Sequence, residues 1–124
     1  MPRILVIDDD EQLLLLVRQI LQKEGYDVSS TADGPHGIEI YKRERPDLVL
    51  LDIGLPSMDG IEVLKTIISH DESAKVVVFT AYGAEWTSTE AYSSGACDFI
   101  EKPVRPDVLL ERIRCALESA GDAD

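Results

Sequence analysis

The sequence predicts a doubly wound α/β domain, a (βα)5 unit with one five-stranded parallel sheet and helices on both faces. Three observations carry this. Ile4-Leu5-Val6-Ile7, Leu48-Val49-Leu50-Leu51 and Val76-Val77-Val78-Phe79 are short apolar runs of strand length. They lack polar alternation, as strands buried on both faces do. Strand-like and helix-like segments alternate five times with short connections, which calls for parallel strands joined by right-handed crossovers.

The first strand, residues 4–7, runs into Asp8-Asp9-Asp10. A helix follows over 11–24, with Leu13, Leu16, Val17, Ile20 and Leu21 at helical spacing and Gly25 as its stop. Asp10 stands directly before it and is expected to cap it. Residues 28–31 read as a second, less apolar strand. Gly34-Pro35 opens a helix to about residue 43, ended ahead of Pro46. The third strand, 48–51, ends at Asp52, and a loop over 53–57 leads to a helix around 59–69. The fourth strand, 76–79, ends at Thr80. A polar, weakly periodic segment over 85–94 is expected to be helical. Asp98-Phe99-Ile100 forms a short fifth strand before Glu101-Lys102-Pro103, and Pro106 starts a last helix to about 117. One domain is expected over 1–120, with 121–124 as a frayed tail.

The 124 residues suit one compact domain with a real core. Acidic residues outnumber basic ones 24 to 12, a formal net charge of −12. Such a chain repels phosphate backbones, so direct nucleic-acid binding is not expected. Cys97 and Cys115 lack metal-ligand spacing and lie in apolar segments, so buried free thiols are expected. His36 and His70 sit in polar segments and are expected at the surface. The N-terminus enters a strand at once, leaving no room for a signal peptide, and no apolar run approaches the roughly 20 residues of a membrane span. The expected setting is the cytoplasm, away from membranes.

Open parallel sheets carry their sites beyond the carboxyl ends of the strands. The first strand ends in Asp8 and Asp9, the third in Asp52 and the fourth in Thr80, and the fifth is followed by Lys102. Three carboxylates this close raise one another's pKa or draw in a cation. Mg2+ suits them: it takes hard oxygen ligands and binds phosphate oxygens as well. Lys102 can offset charge on Asp52 and then on a phosphate, and Thr80 can donate to a phosphoryl oxygen. Phosphoryl transfer to a carboxylate needs these parts.

In Ile4-Leu5-Val6-Ile7-Asp8-Asp9-Asp10, in the stretch from Arg45-Pro46-Asp47 through Asp52-Ile53-Gly54-Leu55-Pro56 to Met58-Asp59-Gly60, and in Phe79-Thr80-Ala81, Gly95-Ala96-Cys97-Asp98-Phe99-Ile100 and Glu101-Lys102-Pro103, the chain resembles response-regulator receiver domains, the CheY-like group. The resemblance spans nearly the whole chain and implies a flavodoxin-like strand order, 2-1-3-4-5. It implies Asp52 as phosphoacceptor, Asp9 as a direct Mg2+ ligand (Mn2+ as substitute), Asp8 as a ligand through water, and the Gly54 carbonyl completing the shell. Thr80 and Lys102 would contact the phosphoryl group. Phe99 would be an aromatic switch that turns inward as Thr80 moves, and the Lys102-Pro103 bond would be cis. Gly54 leaves an acyl phosphate open to water while Tyr82 would shield it, so no lifetime is predicted.

The implied function is a two-component switch rather than an enzyme, although it promotes its own phosphorylation and resets by hydrolysis. The donor would be a sensor histidine kinase or a histidine phosphotransfer protein. The output would be a downstream protein or an effector domain in a longer chain, and the state a monomer or a phosphorylation-dependent dimer. Two other classes compete. A haloacid-dehalogenase-like Mg2+ phosphatase with its nucleophile at Asp8 wants D-x-D-x-[TV], and Asp8-Asp9-Asp10-Glu11-Gln12 lacks the Thr or Val. A flavin-binding module wants a glycine- and hydroxyl-rich loop after the first strand, and here that loop is acidic. A degenerate receiver acting by contact alone fits poorly with the intact Asp52, Thr80 and Lys102.

Overall fold

The computed structural model describes residues 2–54, 59–81 and 88–118. The expected tail at 121–124, Tyr82, residues 55–57 of the third loop and residues 85–87 of the expected fourth helix lie outside them. The elements are β1 (Arg3–Ile7), α1 (Glu11–Lys23), β2 (Asp27–Thr31), α2 (Gly34–Glu44), β3 (Leu48–Leu51), α3 (Gly60–His70), β4 (Val76–Ala81), α4 (Ser88–Ser93), β5 (Asp98–Lys102) and α5 (Pro106–Glu118). The strands form one parallel sheet in the order β2-β1-β3-β4-β5.

The apolar runs are strands because a central parallel strand has no polar face to offer. Ile4, Leu5, Ile7, Leu48, Val49 and Leu51 are all fully buried. Alternate residues point to opposite faces. Leu5, Ile7, Val49, Leu51, Val76 and Val78 therefore pack under α2, α3 and α4, against Ile40, Tyr41, Leu64, Ile67 and Ala91. Ile4, Val6, Leu48, Leu50, Val77 and Phe79 pack under α1 and α5, against Val17, Leu21, Leu109 and Ile113.

Each of the first three helices starts on an aspartate. Asp10 accepts from the Gln12 and Leu13 N–H groups at 3.1 and 3.2 Å, and Asp33 and Asp59 do the same for α2 and α3. These bonds satisfy donors that have no partner within the helix. Gly60 is required by close approach: a Cβ there would lie 2.0 Å from the Ile53 Cα. The start of α3 thus rests directly on the backbone that follows Asp52.

Three expectations are corrected. Leu16, placed on the apolar stripe of α1, is 51% exposed, and Leu14 packs on the core in its place. Leu13 to Leu16 cover most of the helix circumference, so periodicity alone leaves the inward face ambiguous. Cys97 and Cys115 are exposed rather than buried. Ala96 and Ala116, their direct neighbours, take the inward positions. β5 continues two residues past Ile100, because Glu101 and Lys102 still pair with Thr80 and Ala81 of β4. Among the described residues no helix is long and apolar enough to cross a membrane.

Candidate functional site

The ladder registers bring the site together. Ile7 pairs with Thr31 on one side and Leu51 on the other, so Asp8 and Asp52 leave the sheet side by side. The Asp8 N–H donates to the Thr31 carbonyl at 3.1 Å, and the Asp52 N–H donates to the Ile7 carbonyl at 2.9 Å. Strand β2, silent in the sequence reading, thus holds the backbone of Asp8.

Asp8 and Asp52 are buried, at 2% and 8% exposure, while Asp9 is exposed. One carboxylate oxygen from each lies within 4.8 Å of the others. Asp52 Oδ1 accepts from the Gly54 N–H at 2.9 Å and from the Thr80 hydroxyl at 3.0 Å. Lys102 Nζ stands 2.7 Å from Asp8 Oδ2 and 3.4 Å from Asp52 Oδ2. The sequence reading paired this lysine with Asp52, but its shorter bond is to Asp8. Lys102 also lies 5.4 Å from the centre of the Phe79 ring, within cation–π reach.

Burial pushes the Asp8 carboxyl above its ordinary value, against the opposing pull of the Lys102 ammonium and the Asp10 N–H. One ammonium among three carboxylates leaves the rim with excess negative charge. All the donors are hard oxygens, one position faces solvent, and no sulfur or imidazole is present in the cluster. That set fits a small divalent cation that keeps part of its water shell.

Phe99 is half-buried and packs against the core beneath α2, α3 and α4. The Lys102-Pro103 peptide is cis. His36 and His70 are exposed, and His36 Nδ1 lies 3.0 Å from Thr31 Oγ1. One arrangement was not foreseen. Arg112 of α5 donates two bonds to Asp98, at 2.8 and 2.6 Å, and a third to the Phe99 carbonyl at 3.3 Å. Burial pushes the Asp98 carboxyl up, but the bonds from Arg112 and from the Phe99 N–H outweigh it and hold the group below its usual range. A carboxylate opening β5 and an arginine inside α5 were the only sequence signals for it.

Residues 4–114 match the model of the response regulator receiver domain family. The chain belongs to that family. It is similar to the chemotaxis protein CheY of Thermotoga maritima, at 38% identity over 90% of this chain and 93% of that protein. It is equally similar, at 38% identity over 90% of each chain, to sporulation initiation phosphotransferase F of Bacillus subtilis. A crystal structure of a CheY-like receiver domain protein from Methanospirillum hungatei superposes with a TM-score of 0.94 at 35% identity, covering 100% of this chain and 99% of that one.

As a receiver domain of two-component signalling, the protein is part of a switch whose partners are kinases or phosphotransfer proteins. The phosphatase alternative finds no support: the family that residues 4–114 match is a signalling one.

Proposed function

We propose that this receiver takes a phosphoryl group on Asp52 from a phosphohistidine of a sensor kinase or phosphotransfer protein. In that step an Asp52 oxygen forms the new O–P bond while the P–N bond to histidine breaks. The supporting observation is the convergence of Thr80 and Lys102 on the Asp52 carboxylate, at 3.0 and 3.4 Å, beside Asp8 and Asp9.

Asp8, Asp9, Asp52 and the Gly54 carbonyl are the groups that would hold Mg2+, with Mn2+ as an alternative. When bound, the ion would offset negative charge on the carboxylates and on the incoming phosphoryl oxygens. The residues contribute the rest. The Gly54 N–H and Thr80 hydroxyl fix the rotamer of Asp52, so the nucleophile enters the reaction already oriented. Lys102 sits where it can leave Asp8 for a phosphoryl oxygen. The Thr80 hydroxyl, a donor to Asp52, can turn the same proton towards phosphate. Phe99 would then fill the space that Thr80 leaves, changing the face built from α4, β5 and α5. This is a population shift driven by a local charge event. Phosphorylation and its hydrolytic reset belong to the domain itself, and its output is a contact with a downstream protein or a linked effector domain. We take residues 1–120 as the working unit, in the cytoplasm, as a monomer or as a dimer formed on phosphorylation.

The test is acetyl phosphate with magnesium, followed by intact mass. The native protein is expected to gain one phosphoryl group and Asp52→Asn none. Equal uptake by both would refute the assignment, and a group mapped to Asp8 would instead point to the phosphatase chemistry.

A further inference from the structure

We infer that Phe79 is a positioning residue for phosphoryl transfer: its ring holds the Lys102 ammonium over the acidic rim while that ammonium changes partners. The inference rests on Asp52 as the phosphoacceptor and adds to it a buried aromatic that acts only through the lysine.

The strand order creates the contact. β4 lies between β5, which ends in Lys102, and the strands β3 and β1, which lead into Asp52 and Asp8. Lys102 therefore crosses β4 to reach both carboxylates. Phe79 pairs with Ile100 across the β4–β5 ladder, and Lys102, two residues past Ile100, leaves β5 on the same face. The Phe79 ring is what the lysine crosses: Nζ stands over it, 5.4 Å from its centre. The ring itself is buried in the cluster that holds Ile100, Leu109 and Ile113, so the core fixes its place.

The partners of Lys102 differ in what the reaction does to them. Asp8 Oδ2 at 2.7 Å and Asp52 Oδ2 at 3.4 Å hold the ammonium in the free domain. Both carboxylates are also groups that would hold the cation, and Asp52 gives an oxygen to the new O–P bond. Among the described residues, the ring is the partner that neither event alters. The negative face of an aromatic ring attracts an ammonium more strongly where water is kept away, and the Lys102 side chain is mostly buried. A leucine at this position would fill much of the volume but offer no such face. Lys102 would then be free to swing into solvent once Asp8 is engaged. Phe99, the chain's other phenylalanine, packs in the opposite compartment and offers no replacement.

The test is the rate of phosphoryl uptake from acetyl phosphate at saturating magnesium, followed by intact mass. The full chain carries mono-, di- or trifluorinated phenylalanine in place of Phe79. Fluorine drains the negative face of the ring and nearly keeps its shape, so the rate is expected to fall stepwise with each added fluorine. Phe79→Leu is expected to react about tenfold more slowly than the native chain, as befits a largely desolvated cation–π pair. In a Lys102→Met background all the rings are expected to give one rate, because the ammonium they act on is gone. Urea midpoints report that each chain is folded under the assay conditions. Rates that stay flat across the fluorinated series, or that fall equally in the Lys102→Met background, would overturn the role of Phe79 and leave Asp52 standing as acceptor. No uptake by the native chain would sink both.

Discussion

Lys102→Met isolates the charge at the centre of the acidic rim. Methionine keeps an unbranched chain of similar length over the Phe79 ring and removes only the ammonium. The lysine spans Asp8 and Asp52, whose side chains are 3% and 10% exposed, and its own side chain is 19% exposed. Removing one partner from a buried ion pair costs about 3–5 kcal/mol, because the other charge stays behind. Lys102 is partly wet, so the lower end applies, about 3 kcal/mol. In a domain of this size each kcal/mol moves the melting midpoint by about 4 °C, which gives a fall of roughly 12 °C. Thermal and urea unfolding in EDTA read this directly. Magnesium should then narrow the gap: the variant's carboxylates have no ammonium to displace and bind the ion more tightly, and at saturating ion each tenfold of tighter binding closes the gap by about 1.4 kcal/mol. An unchanged midpoint in EDTA, or a gap that magnesium leaves intact, would refute the picture of Lys102 as the rim's built-in counter-charge.

Other perturbations test the framework around the site. Gly60→Ala should destabilise by about 3 kcal/mol, the upper end of the usual overpacking range, since the new Cβ meets the Ile53 backbone at 2.0 Å; a urea midpoint checks it. Asp10→Ala should cost about 1 kcal/mol through loss of the α1 cap, read in the same unfolding assay. Burial and the Asp71 carboxylate push the Tyr41 hydroxyl up to about 12. Its folded value exceeds its unfolded one, so its contribution is complete below pH 10 and is lost as pH rises towards 12. Tyr41→Phe should therefore cost about 1 kcal/mol at pH 8 and lose part of the native chain's decline in stability between pH 10 and 12, measured by urea titration across that range.

Where side-chain chemistry leaves one option, the sequence could be read. Four apolar residues in a row at 48–51 admit no solvent-facing side, and Leu48 to Leu51 are buried on both faces. The strand ends then place Asp8, Asp9, Asp52, Thr80 and Lys102 at one edge, and the registers bring them together as that rule requires. Reading failed where neighbours are chemically alike or partners are distant. Four consecutive leucines conceal which two face inward. Each cysteine has a small apolar neighbour that fits the core equally well. The Asp98–Arg112 bonds join residues on different elements, and no local pattern announces them. The choice of Asp8 over Asp52 as the shorter partner of Lys102 depends on side-chain angles that spacing leaves open.

The sheet also acts as a bulkhead between two separately filled compartments. Phe99 faces the one that holds Ala91, Ala96 and Ile68, while Ile100, the next residue along, faces the one that holds Leu109 and Ile113. Any reorientation of Phe99 displaces volume among small neighbours on its own side and meets a hydrogen-bonded wall on the other. On the proposed reading, a turn of Phe99 would be felt first in the compartment that holds Ala91, and its carbonyl, tethered by Arg112, would carry the same movement to α5.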